Sequence, residues 1–301
     1  MGKIRQILNI FKSINRHPLA RRHTVKCYLK FVGWQLRSAI LTRPKEVRFT
    51  SKSKLLVKKG MAGATGNIYM GLHEFEDMAL LLHYLTPDDV FFDVGANIGS
   101  YTILASAHCG ATSYAFEPVP QTFNWITANV AINSVDHLVI ASNKGLGSKE
   151  GILYFTSDID TINHVVSETS CVDKSKLLAI PVTSIDQVVE RSQVPVMIKI
   201  DVEGFETAVL DGMEKTLCND QLKIIIIELN GLAARYNFSD QQIHERLLAA
   251  GFQPYQYVPF DRMLILLGSF GVYNTIYIRD VEAVQKRLKS APSFEMLGEM
   301  I

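Results

Sequence analysis

The run VFFDVGANIGSYTILASAHCGATSYAFEPVP, Val90 to Pro120, constrains the fold more than any other part of the chain. An apolar strand ends at Asp93, the chain turns through Gly95, Asn97 and Gly99 into a helix, and a second strand ends in Glu117. A turn of this kind needs residues that tolerate left-handed backbone angles and close approach of a ligand, which Gly and Asn do. Glu117, 18 residues past Gly99, is spaced to accept hydrogen bonds from both hydroxyls of a ribose. The pattern predicts a nucleoside site at the carboxyl ends of parallel strands.

Charge discriminates between nucleosides. A nicotinamide dinucleotide would bring a pyrophosphate to the glycine turn, next to Asp93, and the third glycine of that fingerprint is missing. S-adenosylmethionine brings an ammonium and a sulfonium instead, for which Asp93 is a suitable partner. The surrounding sequence alternates short apolar strands with helical segments, which predicts a parallel sheet covered on both faces. Strands are expected near Val90–Val94, Thr112–Glu117, Leu138–Ser142, Val196–Asp201 and Lys223–Leu229, then Phe252–Val258, Met263–Leu267 and Tyr273–Ile278. Gly60, Gly63 and Gly66 read as a loop ahead of a helix near Glu74–Leu85, and Ser239 with Gln242 as a capping box for a helix stopped by Gly251. Residues 144–181 carry hairpin signals at Gly145, Gly147 and Gly151 and then a polar stretch, an insertion long enough to cover a site.

A second run, VPVMIKIDVEGFETAVLDGM, leaves the core with Lys199, Asp201 and Glu203 on one side if it stays extended. In KIIIIELNG, Glu228 ends another all-apolar strand. Asp201, Glu203 and Glu228 are therefore the candidate catalytic carboxylates, able to take the proton of a hydroxyl being methylated. Asp201 and Glu228, with Asn230, also offer the oxygen ligands a divalent cation such as Mg²⁺ prefers, so a metal role stays open. Asn143, just past the third strand, is a candidate adenine contact or the start of a turn. Glu74 and Glu76 either close over the cofactor or act as helix-start charges. His73, His137 and His164 read as surface or loop residues.

Residues 1–60 hold 16 Lys/Arg against one acid, Glu46, a net +15; of the chain's 31 Lys/Arg and 30 Asp/Glu this leaves 15 against 29 in residues 61–301, a net −14. Ile4, Ile7, Leu8, Phe11 and Ile14, then Leu29, Val32, Leu36 and Ile40, recur at helical spacing on either side of His17 and Pro18. Two amphipathic helices follow, suited either to an anionic membrane surface, with Phe31 and Trp34 nearby, or to packing on the main domain. No base-reading module accompanies the charge, and no nucleic-acid partner is expected. Cys27, Cys109, Cys171 and Cys218 form no C-x-x-C pair, and no apolar run reaches the roughly 20 residues of a membrane span. The expected setting is the cytoplasm, with peripheral contact at the inner membrane surface.

DVGANIGSYT, AFEPVP, IKIDVEGFE and IIIEL, in that order, resemble the FkbM family of methyltransferases over roughly Glu74 to Leu229, and HPLARRHTVKCYLKFVGWQL with NIYMGLHEFEDMALLLHYL is similar to one bacterial branch of it. The resemblance implies a doubly wound, Rossmann-like class I methyltransferase fold with a mostly parallel seven-stranded sheet. It also implies S-adenosylmethionine as donor and O-methylation of sugars or polyketide hydroxyls. By position, Asp93, Gly95, Asn97 and Gly99 correspond to the cofactor loop, Glu117 to the ribose acid, and Asp201 to Glu206 to the second signature. The expected layout is a basic amphipathic segment 1–60, a methyltransferase domain 61–281 and a tail 282–301. The competing readings are a nicotinamide-dependent sugar oxidoreductase, for which no persuasive Tyr/Lys pair appears, and a nucleoside-binding module without turnover.

Overall fold

The basic segment forms the two helices that its spacing predicts, α1 (Gly2–Arg16) and α2 (Thr24–Ile40), parted by a short 3-10 turn. The structure, a computed structural model, describes residues 2–40, 43–156, 165–166, 177–271 and 273–301. His17 holds the corner: its Nδ1 accepts the Ala20 N–H at 3.0 Å and its Nε2 donates to Leu72 O at 2.7 Å. Helix α2 is apolar on two sides. Cys27, Phe31, Trp34 and Ser38, spaced at i, i+4, i+7 and i+11, are buried, whereas Leu29, Val32, Leu36 and Ile40 stand 46–81% exposed.

A hairpin of β1 (Lys45–Arg48) and β2 (Lys54–Val57) follows, held by the Asn129 and Asn133 side chains, which accept the Leu56 and Lys54 N–H groups at 2.6 and 2.8 Å. Gly63 and Gly66, expected in a loop, lie instead in helix α3 (Ala62–Met70). Gly66 serves packing there, because a Cβ would sit 2.5 Å from the His73 ring. Helix α4 (Phe75–Tyr84) is buried along almost its whole length.

The main sheet begins with β3 (Val90–Val94), followed by α5 (Ser100–Ile103), β4 (Thr112–Phe116), α6 (Pro120–Asn133) and β5 (Val139–Ser142). The 144–181 insertion contributes β6 (Gly145–Leu146), β7 (Gly151–Thr156), β8 (Val165–Val166) and β9 (Leu177–Thr183), a small separate sheet; its remaining residues, 157–164 with His164 and 167–176, lie outside the described residues, so its reading as a cover rests on sequence. Then come α7 (Ile185–Val189), β10 (Met197–Ile200), α8 (Glu206–Asp211), α9 (Glu214–Leu217) and β11 (Ile224–Glu228). The chain ends with α10 (Asp240–Ala249), β12 (Gln253–Val258), β13 (Met263–Leu266), β14 (Asn274–Ile278), α11 (Val281–Ser290) and a short hairpin of β15 (Glu295–Met296) and β16 (Glu299–Met300).

The strand order is β13-β12-β14-β11-β10-β3-β4-β5; β11, β10, β3, β4 and β5 pair in parallel, β14 runs against them, and β12 beyond it runs with them again, flanked by antiparallel β13. The sheet is doubly wound, with eight strands rather than seven. Its extra member is the largely exposed edge β13, which pairs only with β12. Two-sidedness follows from the sequence of the central strands: Phe91, Met197, Ile224 and Ile226 enter one apolar layer, and Phe92, Ile198, Ile225 and Ile227 the other. The chain winds outward from β3 through β4 and β5, then returns to β10 and β11 on the other side. That reversal between β3 and β10 is where an open α/β sheet leaves a crevice at its carboxyl edge.

One apolar layer crosses both expected boundaries, at residues 60 and 281. Ile14, Cys27 and Phe31 share it with Leu80 and Phe91, and so do Val284, Leu288 and Ile301. The basic segment and the tail are thus built into the core of the domain. The Ser239 capping box does not form, whereas one between Ser184 and Gln187 caps α7. Gly251, at φ +87°, does end α10.

Candidate active site

The turn after β3 has left-handed residues at Gly95, Asn97 and Gly99, with φ of +78°, +51° and +85°. Gly95 is required twice over, since a Cβ there would lie 1.8 Å from Asp201 O. The turn therefore passes directly under the end of β10. The Gly95 and Ala96 N–H groups both donate to Phe116 O, at 3.0 and 2.9 Å, which ties the turn to the end of β4. Glu117, one residue on, is buried with its carboxylate fixed by backbone donors: Asn97 N–H to Oε2 at 3.0 Å and Val119 N–H to Oε1 at 2.9 Å. Burial nevertheless pushes this carboxyl up to about 7, against the opposing effect of the two N–H groups.

Asp93 and Lys199 are paired across β3 and β10 and both are buried. Asp93 Oδ2 accepts the Thr102 N–H at 3.0 Å and the Thr102 hydroxyl at 2.6 Å, so one oxygen anchors the first helix turn and is not free for a ligand. Lys199 Nζ donates to Asp201 Oδ2 at 2.7 Å and sits 4.9 Å from the Tyr101 ring centre. Burial alone would lower the Lys199 pKa, but the carboxylates of Asp201, Glu74 and Asp93 overcome that and raise it. Glu74 accepts the Tyr101 hydroxyl at 2.6 Å and makes no side-chain cap to α4. Asp201 is the more accessible of the pair, its side chain 28% exposed against 4% for Lys199.

These groups wall a cavity of about 240 Å³ at the carboxyl edge of the sheet. Asp93, Gly95, Asn97, Glu117, Asp201 and Glu203 all reach it, bringing together residues from two separate runs of sequence. Its acids are Glu74, Asp93, Glu117, Asp201 and Glu203, against Lys144 and Lys199. Such a wall suits a ligand carrying positive charge and a diol far better than a pyrophosphate. Gly99 lies behind the wall, caps α5 and packs on Ile126. Asn143 is not on the wall: its amide donates to Glu117 O and Pro118 O at 2.8 and 3.0 Å and so braces the Glu117 loop.

Met61 just before α3, Asn67 within it and His73 in the loop after it also line the cavity; His73 is exposed and in a bend, in keeping with its reading as a surface or loop residue. Nothing local to their sequence signals this. Only the packing of α3 across the sheet edge brings them there.

Glu203 and Gly204 take two successive left-handed conformations, φ +55° and +100°, and a Cβ on Gly204 would lie 2.5 Å from Leu232 O. Glu206 closes this bend by accepting the Val202 and Gly204 N–H groups at 3.2 and 3.1 Å. Glu228 stands behind the cavity wall, not on it, but its pKa is pushed up to about 8, first by burial and then by the charges of Asp201 and Glu203. Burial likewise raises Glu203, and raises Glu206 and Asp77 to about 7. Among the described residues no group of three or more His, Cys, Asp or Glu is arranged to hold a metal ion, and Asn230 Oδ1 is engaged by the Leu232 N–H at 3.0 Å.

These shifts predict an unusual stability profile. Each carboxyl has a higher pKa folded than unfolded, so its contribution is fully present below the unfolded value and lost as pH rises through about 7 to 8. Buried His17, His83 and His108, lowered to about 4 by burial, act oppositely and cost stability as pH falls below the ordinary histidine value. The carboxyls lower the thermal midpoint as pH rises from the ordinary carboxylate range to about 8, the histidines oppose this only below about pH 6.5, and the net fall is therefore steepest between about pH 6.5 and about pH 8, with little change above it. Glu228→Gln should flatten that fall and raise the midpoint at about pH 8 and above by roughly 2–4 °C for each kcal/mol recovered. Scanning calorimetry across that range checks it; a midpoint that rises with pH would contradict it.

Comparison with known proteins bears on the chemistry of this cavity. The model of the Methyltransferase FkbM domain family matches residues 93–254. The hexuronic acid methyltransferase AglP of Haloferax volcanii is 34% identical over 159 residues, 52% of this chain and 62% of that protein. The 31-O-demethyl-FK506 methyltransferase FkbM of Streptomyces tacrolimicus is 28% identical over 175 residues, 46% of this chain and 66% of that protein. The chain thus spans a little under two thirds of the length of each. Among solved structures, a methyltransferase FkbM from Methylobacillus flagellatus aligns with a TM-score of 0.44 at 15% identity, over 64% of this chain and 44% of that one. The fold itself rests on the strand order described above.

Proposed function

Because the chain belongs to the FkbM methyltransferase family, we propose that it transfers a methyl group from S-adenosylmethionine to a hydroxyl group of a sugar or related acceptor, in polysaccharide, glycolipid or secondary-metabolite assembly. The observation that carries this reading is the acid-lined cavity at the β3/β10 crevice, with the Glu117 carboxylate fixed on one wall and Asp201 on another. Glu117 holds the ribose diol, and the Gly95–Asn97 backbone lets the nucleoside approach closely. When bound, the donor supplies a methyl group on a sulfonium that departs as a neutral thioether. Asp201, held by Lys199 at the open side of the cavity, takes the proton of the attacking hydroxyl. Glu203 and Glu228, which burial makes more basic than an ordinary carboxylate, receive it onward in their ionised forms; for Glu228 that form is in the majority only above about pH 8.

A sugar acceptor is supported by the named activity of the Haloferax relative on hexuronic acid, and an oxygen nucleophile by the name of the Streptomyces one. Calorimetric titration with S-adenosylhomocysteine, with NAD⁺ and NADP⁺ as controls, tests the donor. Micromolar affinity for the first alone is expected. Binding of NAD⁺ instead would replace this reading with an oxidoreductase. A screen of uronic acids and other sugars with labelled donor then tests the acceptor, and a protein that binds donor yet methylates none of them would be left as a nucleoside-binding module.

A further inference from the structure

Helix α2 carries an apolar stripe that the fold does not use. Val25, Leu29, Val32, Leu36 and Ile40 are 46–81% exposed. At about 100° per residue they fall on the side opposite the buried Cys27, Phe31, Trp34 and Ser38. The stripe runs the length of a 17-residue helix, roughly 25 Å at the α-helical rise. A surface helix of a soluble domain ordinarily turns such a face inward. Here the inward face is already filled by a second apolar set.

What borders the stripe identifies its occupant. Along one flank runs a groove between α2 and the β1 and α3 elements, whose walls include Arg22, Lys26, Lys30 and Arg37 and no acid. Arg22 is held by Glu299 and Lys26 by Leu297 O, so these cations are fixed in place on the domain. Across residues 1–60 the net charge is +15. Aliphatic side chains flanked by fixed cations match the acyl boundary and the phosphates of an anionic bilayer. A second copy of the chain laying the same face against it would set like charges together. No helix among the described residues is long and apolar enough to cross a membrane.

We propose that α2 is an interfacial membrane helix, lying on anionic phospholipid with the Val25–Ile40 stripe inserted and Lys30 and Arg37 at the phosphates. The helix also packs on α3, through Phe31 and Tyr69 with ring centres 5.2 Å apart, and α3 residues line the catalytic cavity. Docking therefore sets the mouth of that cavity at a fixed relation to the bilayer, the geometry needed for an acceptor carried on a lipid.

Vesicle co-sedimentation of the full chain tests this without any turnover. At low salt the protein should bind vesicles of phosphatidylcholine with phosphatidylglycerol and largely ignore phosphatidylcholine alone. Leu29→Ser with Leu36→Ser removes exposed side chains and should leave the fold intact by circular dichroism, yet weaken binding at least about tenfold. Lys30→Gln with Arg37→Gln should weaken it by about fivefold per charge, on the anionic vesicles only. The proposal is overturned if the full chain ignores the anionic vesicles, or if the leucine variant binds as well as the parent. It is equally overturned if the parent elutes as a dimer that the leucine variant dissociates, which would make the stripe a self-interface.

Discussion

Glu117→Ala is expected to weaken S-adenosylhomocysteine binding by about 10²–10⁴-fold, the largest loss of affinity for any single side chain of the cavity. A hydrogen bond to a charged group contributes roughly 1.5–3 kcal/mol, and a ribose diol makes two to this carboxylate. The alanine variant also frees the Asn97 and Val119 N–H groups that Glu117 now accepts, so Glu117→Gln, which keeps the shape and an acceptor oxygen, separates the two effects. Its expected loss is smaller, about 10–10²-fold.

A pH signature distinguishes recognition from scaffolding. The Glu117 pKa stands at about 7 in the free protein, and donation by two hydroxyls favours the ionised form, so binding lowers it and releases a proton at acid pH. Affinity should therefore fall about tenfold per unit below about pH 7 in the parent and become nearly flat in Glu117→Gln. Calorimetry across that range reads both. A parent whose affinity ignores pH, with a glutamine variant of equal affinity, would remove Glu117 from the donor site.

The sequence revealed this part of the site because its requirements are local. A left-handed turn under a neighbouring strand admits only a few residue types, and Gly95, Asn97 and Gly99 stand where the backbone needs them. Period-two alternation in Val90–Val94, Met197–Ile200 and Ile224–Glu228 likewise marks both faces of each strand, which is why Asp93, Lys199 and Glu228 end on the same side. What sequence did not reveal depends on contacts between distant segments. Gly63 and Gly66 looked like loop residues, because local propensity carries no sign that a histidine ring will fill the space beside Gly66. Asn143 sits at the strand end, and nothing in its local sequence shows that its amide braces two carbonyls of the Glu117 loop. Asp93 is placed by its sequence to face a cationic ligand, and nothing local shows that Thr102, nine residues on, takes one of its oxygens. The basic segment posed the same problem on a larger scale: with two apolar stripes on one helix, the one without Trp34 and Phe31 gave the stronger periodic signal but is the exposed one.

Asp201→Asn is expected to cut kcat by about 10²–10⁴-fold at saturating donor, while S-adenosylhomocysteine affinity stays within about threefold. The amide preserves the shape of the side chain but cannot take a proton from the attacking hydroxyl. Loss of the carboxylate also removes one partner of buried Lys199, which ordinarily costs several kcal/mol. Here Glu74 and Asp93 remain to offset that ammonium, so the thermal midpoint should drop without loss of the fold. The removed charge also relieves Glu228 and Glu203, both raised in part by Asp201. Residual turnover of the variant should therefore follow carboxyls of lower pKa, and its pH-rate profile should shift to the acid side of the parent's. The measurement is steady-state methyl transfer to the first acceptor found in the sugar screen, over a range of pH, beside calorimetry of donor binding. If donor affinity falls as far as kcat, Asp201 is a ligand of the donor and not a base. If both survive, the proton goes directly to Glu203 or Glu228, and Glu203→Gln and Glu228→Gln would show which of them carries the loss.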